Sequence, residues 1–416
     1  MTWRFWERVP VTPARLLLLV LAVSVYFRTF RLRVPRDAIM GDERFYVNAA
    51  RVILGWHVEN GSPYAGAPHG IDPNSEHPAL GKLFLAGSMK VFGDDPLGWR
   101  LPSIVAGVAS IALVYLIVRA AARDSWLAVM AATIFAFDNL VFVQSRVAML
   151  DMPMLAFLLL AVWLWMLDRP LLAGAACGLG TLVKETGVYG FVALLALAVG
   201  AVVWDRVRLR TWNRPAVLRT LFLVGAFATV FIGGLWVLDL LVTPYNTPWA
   251  HLRAMNHYAF LLKRPGGPAG VESWPWKWLG NEVQMPYFAV DQHLTVGGHE
   301  VATRTVIKFV AAMNPVILGT APLAVAYASW HAWRFRDRLS IWVVAWVAGN
   351  YLLYYPLALI THRTMYIFYF LPTMAAVAVA TAQLLRQAPL PRVLTWGYFV
   401  GVAIAFADYF PFRNVF

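Results

Sequence analysis

The segment Leu97-Gly-Trp-Arg-Leu-Pro-Ser-Ile-Val-Ala-Gly-Val-Ala-Ser-Ile-Ala-Leu-Val-Tyr-Leu-Ile-Val-Arg119 decides the fold class. It is apolar and long enough to cross a bilayer as one α-helix, which takes about 20 residues. Hydrophobic residues make up 60% of the 416-residue chain and charged residues only 14%, whereas a soluble domain carries about a quarter charged residues. We therefore predict an all-α polytopic membrane protein with about eleven transmembrane helices, near residues 11–30, 97–119, 126–143, 149–167, 170–184, 187–204, 219–242, 303–330, 340–360, 364–384 and 392–410.

The net charge of +13 has a distribution typical of membrane proteins. Arginines fall mainly in short loops between apolar runs, as in cytoplasmic loops, and this argues against a nucleic-acid partner. The first run, 11–30, has no small-residue cleavage site before Arg28, so we expect an uncleaved span and no signal peptide. The single cysteine, Cys177, lies in an apolar run and is expected to pack between helices.

Residues 79–92 are apolar on one side and too short to span, so we predict an interfacial amphipathic helix. With a cytoplasmic N-terminus, this choice places the Arg-rich loops in the cytoplasm, whereas an extra span would place them all outside. The chain is then one membrane domain, 1–416, without a separate soluble domain. It has a first outer loop at 31–96 that carries interfacial helices and a long outer loop at 243–302.

This topology gathers ionisable residues from distant segments on the outer face. Such groups at a bilayer boundary are costly unless they pair or line a wet cavity, so the set predicts a functional site. Structural ion pairs are the alternative for any single member. The set consists of Asp42, Glu43, His77, Lys82, Arg146, Asp151, Lys184, Glu185, His362 and Arg363.

Three of these segments carry a family resemblance: Gly41-Asp-Glu-Arg-Phe-Tyr46, Glu76-His-Pro-Ala-Leu-Gly-Lys-Leu83 and Val143-Gln-Ser-Arg-Val-Ala-Met-Leu-Asp151. In order and spacing they resemble the protein O-mannosyltransferases and related GT-C membrane glycosyltransferases, which use polyprenyl-phosphate sugars. Weaker matches are Trp274-Pro-Trp-Lys-Trp278 and the Tyr-rich stretch Arg363–Pro372. The resemblance implies a GT-C fold, a lipid-linked donor and mannose transfer to Ser or Thr of exported proteins.

The sequence also departs from the family in two places. Ala79 stands where the family often has a second proline. The loop 243–302 is too short for the soluble lumenal insert of the eukaryotic members.

The resemblance implies that Asp42 and Glu43 are catalytic. Transfer from a lipid phosphate needs a hydroxyl to attack the anomeric carbon, and a carboxylate can take its proton. We predict that Asp42 is this general base and that Glu43 binds the acceptor or a divalent cation through oxygen ligands. Adjacent side chains on a helix point in different directions, so only one is expected to meet the reacting centre. Helix N-capping is the alternative for Asp42.

Negative charge grows on the departing phosphate, and cations stabilise it. We expect Asp151 to orient one of these cations, Arg146. Snorkelling to the interface is the alternative for Arg146, Lys184 and Arg363. Anchoring of the interfacial helix is the alternative for His77 and Lys82. The predicted donor-phosphate ligands are Arg146, Lys184, Arg363, His77 and Lys82.

Three aromatic residues, Tyr46, Trp274 and Trp276, are predicted sugar or acceptor contacts, and an interfacial aromatic belt is the alternative. The chain has no Gly-rich nucleotide cradle in a strand-to-helix context, which agrees with a lipid-linked donor. We predict no required cofactor and leave a divalent cation, Mg or Mn, open.

Three functions are weighed from these observations. The leading one is an inverting glycosyltransferase that moves mannose from a polyprenyl phosphate to Ser or Thr of an exported polypeptide. The second keeps the donor chemistry but uses a lipid A or cell-envelope glycan acceptor, as aminoarabinose transferases do. The third is a transporter or lipid flippase. We expect a bacterial plasma-membrane protein among membrane lipids, with its active site on the outer face.

Overall fold

The computed structural model describes residues 12–34, 38–263, 272–296 and 299–410. Its first half contains the helices α1 (Pro13–Thr29), α2 (Glu43–Leu54), α3 (Leu80–Phe92), α4 (Pro96–Ala122), α5 (Ser125–Ala136), α6 (Asn139–Gln144), α7 (Asp151–Met166), α8 (Pro170–Val183) and α9 (Val188–Leu209). Its second half contains α10 (Arg214–Val242), α11 (Pro248–Leu261), α12 (Pro275–Trp278), β1 (Met285–Val296), β2 (His299–Ala311), α13 (Pro315–Phe335), α14 (Arg338–Val347), α15 (Tyr354–Pro356), α16 (Leu371–Gln387) and α17 (Arg392–Asp408).

Among the described residues, five helical stretches are long and apolar enough to cross a membrane, and the chain is an integral membrane protein. They are Pro96–Ala122, Glu185–Arg208, Arg214–Val242, Arg338–Thr361 and Ile367–Gln387, and shorter apolar helices occur at Ser125–Ala136, Asp151–Met166 and Pro170–Val183. Helix α16 is almost completely buried and packs against α5, α13 and α14, so it is a central helix of the bundle. The helical membrane fold is confirmed, and the count of eleven spans stays a prediction.

Two of the predicted spans are not single regular α-helices. The run 126–143 divides at the buried Asp138, which caps α6 through the N–H of Val141 and accepts a hydrogen bond from the N–H of Asn314. The run 340–360 continues from α14 through a π-helical stretch, Ala348–Leu352, and a second one, Leu357–Thr361. Pro356 lies between them, and a proline has no N–H to continue the helical ladder.

The prediction of a span over 303–330 is wrong in its first part. Residues up to Ala311 form β2, which pairs antiparallel with β1 in a two-stranded hairpin, and the helix begins only at Pro315. The segment 299–311 is rich in β-branched residues and carries charged residues between them, which favours a strand over a buried helix. The loop 243–302 is accordingly structured, since it contains α11, α12 and β1.

The segment 79–92 is helical as predicted, because α3 covers Leu80–Phe92. Its 13 residues are too few to span a bilayer. Gly81 lets α3 approach the bundle closely, since a Cβ there would lie 2.8 Å from Leu150 and 3.0 Å from the carbonyl oxygen of Val183. Helix α3 packs against α2, α4 and α8, so the first outer loop is docked on the membrane helices.

Candidate active site

A polar cavity of about 370 Å³ lies between the first outer loop, the α8–α9 turn, α11 and the segment after Thr361. This volume falls in the range of small-ligand sites. Five of the ten ionisable residues predicted for the site line it, together with a group of aromatic side chains. Its lining residues are Asp42, Arg44, Phe45, Tyr46, Tyr64, Glu76, His77, Lys184, Glu185, Met255, Tyr258, Ala259, Leu262, Arg363, Tyr366, Phe368 and Tyr369.

Asp42 faces this cavity and does not cap its helix. It precedes α2, but its side chain makes no capping hydrogen bond, and within the described ranges its carboxylate has no hydrogen-bond or ion-pair partner. The preceding Gly41 has a φ of +53°, and a Cβ there would lie 2.5 Å from the ring of Tyr287, so the turn that presents Asp42 requires glycine. The capping alternative is therefore wrong, and the carboxylate is available to a substrate.

Burial raises the pKa of Asp42 above its ordinary value, while the nearby Lys184 opposes the shift. A carboxyl with a raised pKa is a stronger proton acceptor than an ordinary aspartate once it is ionised. A carboxylate that lacks partners and is partly desolvated in a cleft is also typical of a functional group.

We expect Asp42→Asn to raise the melting temperature at neutral pH. Because the pKa is raised in the folded state, the cost of burying the charge is absent below the unfolded pKa of about 4 and complete above the folded pKa. The variant removes that cost, so its advantage over wild type should grow from pH 4 to pH 8 in thermal unfolding of the purified protein.

Asp124→Asn is the matched control, since that carboxylate caps α5 and pairs with Arg386. This variant should not gain stability. An unchanged or lower melting temperature for Asp42→Asn at neutral pH would show that the Asp42 carboxylate has partners in solution.

Glu43 has a structural role, and its predicted contact with acceptor or cation is wrong. It is fully buried and forms a two-pronged ion pair with Arg100, with Nε and Nη2 each 2.8 Å from one carboxylate oxygen. The same oxygens accept the N–H groups of Met40 and Ala148, also at 2.8 Å. With four donors bound, this carboxylate is committed to joining the first outer loop to α4 and to the segment before α7.

Three of the predicted phosphate ligands line the cavity: His77, Lys184 and Arg363. Lys184 follows the last residue of α8, and its extended backbone leads into a 3₁₀ turn, where a Cβ at Gly187 would lie 2.8 Å from the backbone nitrogen of Thr181. Lys184 Nζ lies 2.9 Å from both oxygens of Asp151. In the described part of the chain Arg363 has no carboxylate within ion-pair distance, so it is a lining cation that remains available to an anion.

The prediction that Asp151 orients Arg146 is wrong, because Asp151 pairs with Lys184. Arg146 is buried outside the lining of the cavity, where Nη1 and Nη2 donate to the carbonyl oxygens of Phe27 and Phe30 at 3.0 and 2.7 Å. Its predicted contact with the donor phosphate is therefore also wrong. Arg146 holds the end of α1 against the bundle.

Lys82 is likewise structural, and its prediction as a phosphate ligand is wrong. It is fully buried, pairs with Asp72 at 2.5 Å and donates to the carbonyl oxygens of Asn74 and His77. His77 lines the cavity as predicted, and its Nδ1 lies 2.5 Å from Glu185 Oε2. Both residues of that pair face the cavity, so His77 presents its ring with an orientation that is fixed by a carboxylate.

The aromatic predictions divide in the same way. Tyr46 is buried and lines the cavity, with its ring centroid 5.9 Å from that of His77. Trp274 and Trp276 stack on each other at 5.2 Å, and Trp276 lies against Tyr355, all outside the cavity lining. Their predicted sugar or acceptor contact is not a contact with this cavity.

Sequence reasoning missed several lining residues. Glu76 accepts from Asn74 and, on its other side, is hydrogen-bonded to Tyr258 of α11. Tyr369 is hydrogen-bonded to Arg363. Both Glu76 and Tyr369 lie inside stretches that the family resemblance had marked, whereas α11 carried no signal beyond its interfacial aromatics. In the described ranges, no group of three or more His, Cys, Asp and Glu side chains is arranged to hold a metal ion. The expectation that no cofactor is required stays a prediction.

Comparison with known proteins identifies relatives of this chain. Residues 76–233 match the family model of the dolichyl-phosphate-mannose-protein mannosyltransferases. A polyprenol-phosphate-mannose–protein mannosyltransferase of Mycobacterium tuberculosis is 29% identical over 178 residues, which are 41% of this chain and 29% of that protein. The resemblance to the protein O-mannosyltransferases is confirmed.

Two further matches bear on this O-mannosyltransferase-like chain. An undecaprenyl phosphate-alpha-4-amino-4-deoxy-L-arabinose arabinosyl transferase of Pseudomonas aeruginosa is 30% identical over 222 residues, 48% of this chain and 36% of that protein. The structure of the S. cerevisiae protein O-mannosyltransferase Pmt1-Pmt2 complex bound to the sugar donor matches with a TM-score of 0.72 and 11% identity, over 97% of this chain and 89% of that one. The GT-C fold is thereby confirmed. The chain spans only about a third of the length of these two curated relatives.

Proposed function

We propose that this chain is an inverting membrane glycosyltransferase that moves mannose from a polyprenyl phosphate to a Ser or Thr hydroxyl of an exported protein. The observation that carries the proposal is that one cavity is lined by both Asp42, a carboxylate without a hydrogen-bond or ion-pair partner among the described residues, and Arg363, a cation that has no carboxylate partner among them. These are the two groups that a single displacement at a phosphate-linked sugar requires. The donor class, a polyprenyl-phosphate sugar, is proposed from the names of the related transferases.

The step balances with the residues on the cavity. The acceptor oxygen forms a bond to the anomeric carbon as the bond from that carbon to the phosphate oxygen breaks, and the polyprenyl phosphate leaves with the electron pair. The Asp42 carboxylate takes the proton of the attacking hydroxyl. Arg363 and Lys184, which both line the cavity, stabilise the charge that develops on the phosphate. One displacement inverts the configuration at the anomeric carbon.

The remaining cavity residues hold the sugar. His77, fixed by Glu185, and Glu76, fixed by Asn74 and Tyr258, present polar groups at hydrogen-bonding positions around the cavity wall. Tyr46, Phe368 and Tyr369 provide aromatic faces beside them. The proposed mechanism needs no cofactor, because the chain itself supplies the base and the cations.

The location follows from the donor and from the loop charges. We propose that the chain lies in a bacterial plasma membrane, with its N-terminus in the cytoplasm and its cavity on the outer face. The arginine-rich loops at the other ends of the helices then face the cytoplasm.

An envelope-glycan or lipid A acceptor is the second candidate, favoured by the relative of 30% identity that is named for aminoarabinose transfer. The two acceptors are separated by offering purified protein in nanodiscs a labelled polyprenyl-phosphate mannose with either a Ser/Thr-rich peptide or lipid A. Label on the peptide supports the proposal, and label on lipid A alone supports the second candidate. Label that stays on the donor in both reactions contradicts transfer of mannose to either acceptor.

A further inference from the structure

A buried His–Asp pair outside the cavity lining is hydrogen-bonded to the segment that carries Glu76 and His77. His251 of α11 is fully buried, with Nδ1 2.6 Å from Asp239 Oδ1 and Nε2 2.9 Å from the carbonyl oxygen of Ser75. Asp239 lies near the end of α10 and is also buried. The reaction described above uses none of these side chains.

The hydrogen-bond chemistry of the pair defines its role. A carbonyl oxygen can only accept, so Nε2 of His251 carries a proton and donates it to Ser75. A second proton lies between Nδ1 and Asp239, because a carboxylate at 2.6 Å from a ring nitrogen needs one to form a hydrogen bond. Thr243 donates to the same Asp239 oxygen, at 2.9 Å. Asp239 thus fixes the ring so that its other nitrogen points at Ser75.

The segment 72–77 is held by donors on both sides. Lys82 of α3 binds the carbonyl oxygens of Asn74 and His77, and His251 of α11 binds that of Ser75 between them. The N–H of Asp72 donates to the carbonyl oxygen of Val242 at 2.6 Å. Two carboxylates, Asp72 and Asp239, balance the two donor side chains. The backbone beneath Glu76 and His77 therefore depends on α10 and α11 as much as on its own loop.

Helix α11 extends this connection across the cavity. Met255, Tyr258 and Ala259 line the cavity and follow His251 at helical spacings of 4, 7 and 8, so they share its face. Beyond the end of the helix, the carbonyl oxygen of Leu262 accepts the N–H of Thr364 at 2.8 Å. Helix α11 joins the wall that carries Glu76 and His77 to the segment that carries Arg363.

We propose that His251, oriented by Asp239, is a positioning residue of this active site. It acts through the Ser75 carbonyl to set Glu76 and His77 against the substrate and to hold α11 over the cavity. The proposal rests on the proposed function for its kinetic consequence, but its structural consequence does not depend on turnover.

The test compares His251→Ala, His251→Gln and Asp239→Asn. Alanine loses both contacts, glutamine keeps an amide donor for Ser75, and asparagine at 239 keeps a partner for the ring. We expect His251→Ala to speed amide hydrogen exchange in 72–77 and to lower kcat/KM for sugar transfer by at least about tenfold. The kcat/KM values of His251→Gln and Asp239→Asn should stay within about threefold of the wild-type value, which corresponds to about 0.7 kcal/mol.

Asn314→Ala is the matched control, since Asn314 is a fully buried cap of α13 that lies away from the cavity. It should lower the melting temperature while kcat/KM and exchange in 72–77 stay unchanged. If His251→Ala does not fold, His251→Asn replaces it, because asparagine can reach Asp239 but not Ser75.

Exchange in 72–77 that stays unchanged in the Ala or Asn variant would overturn the positioning role. A Gln variant that exchanges and turns over no better than Ala would overturn it as well. Wild-type protein without transferase activity would contradict the proposed function alone, because the exchange measurement still decides this inference.

Discussion

Replacing Asp42 with asparagine is expected to lower kcat for sugar transfer by at least about a hundredfold, because the variant cannot take the acceptor's proton. The size and position of the side chain are kept, and Asp42 has no hydrogen-bond partner in the described part of the chain that the change would disturb. Donor affinity should therefore stay close to that of wild type. Single-turnover transfer, with donor binding measured separately, gives both quantities.

Asp124→Asn is the control for this prediction. Its carboxylate caps α5 and lies outside the cavity, so kcat should stay the same. If Asp42→Asn transfers sugar at near the wild-type rate, another group takes the proton. Glu76 would then be the candidate, since it is another carboxylate on the cavity wall.

The adjacent residue should behave in the opposite way. Glu43→Gln is expected to destabilise the protein by about 3–5 kcal/mol, because Arg100 stays buried and loses its counter-charge. The amide group of glutamine would also place donors against Arg100 and the two backbone N–H groups that Glu43 accepts. Thermal unfolding in detergent measures the loss.

A double variant separates the ion pair from its surroundings. If the unpaired Arg100 is the cause, Glu43→Gln combined with Arg100→Met should recover part of the stability that Glu43→Gln loses alone. An unchanged melting temperature in Glu43→Gln would mean that the pair is open in the membrane. In this acidic dipeptide, Asp42 is thus the proposed reactive group and Glu43 is the structural one.

Much of the fold can be predicted from the sequence because membrane-spanning helices consist of long apolar runs. The predicted ends of three spans, at 119, 242 and 384, lie within three residues of the helix ends at Ala122, Val242 and Gln387. The β-hairpin was missed because only three residues separate β2 from the apolar helix α13, so the end of the strand and the helix were taken as one apolar run. The break at Asp138 depends on a tertiary contact with Asn314, and the π-helical stretches before and after Tyr354–Pro356 depend on backbone geometry.

The sequence predicted the position of some site residues correctly and that of others wrongly. The motif positions and the predicted topology place four residues together, and the structure shows that they line one cavity: Asp42, His77, Lys184 and Arg363. Arg146 and Lys82 were assigned wrongly because a buried cation that binds backbone carbonyls has the same sequence signature as one that faces a ligand. Asp151 was paired with its neighbour in sequence, whereas its partner in space is Lys184. Only the fold shows which polar groups are already satisfied.

The most direct test of this active site is a cryo-EM structure in nanodiscs with bound polyprenyl-phosphate mannose. We expect the phosphate to lie against Arg363 and Lys184, with the anomeric carbon facing the Asp42 carboxylate and the sugar beside His77 and Glu76. A phosphate bound outside this cavity, or a sugar with its anomeric carbon turned away from Asp42, would contradict the assignment of the active site.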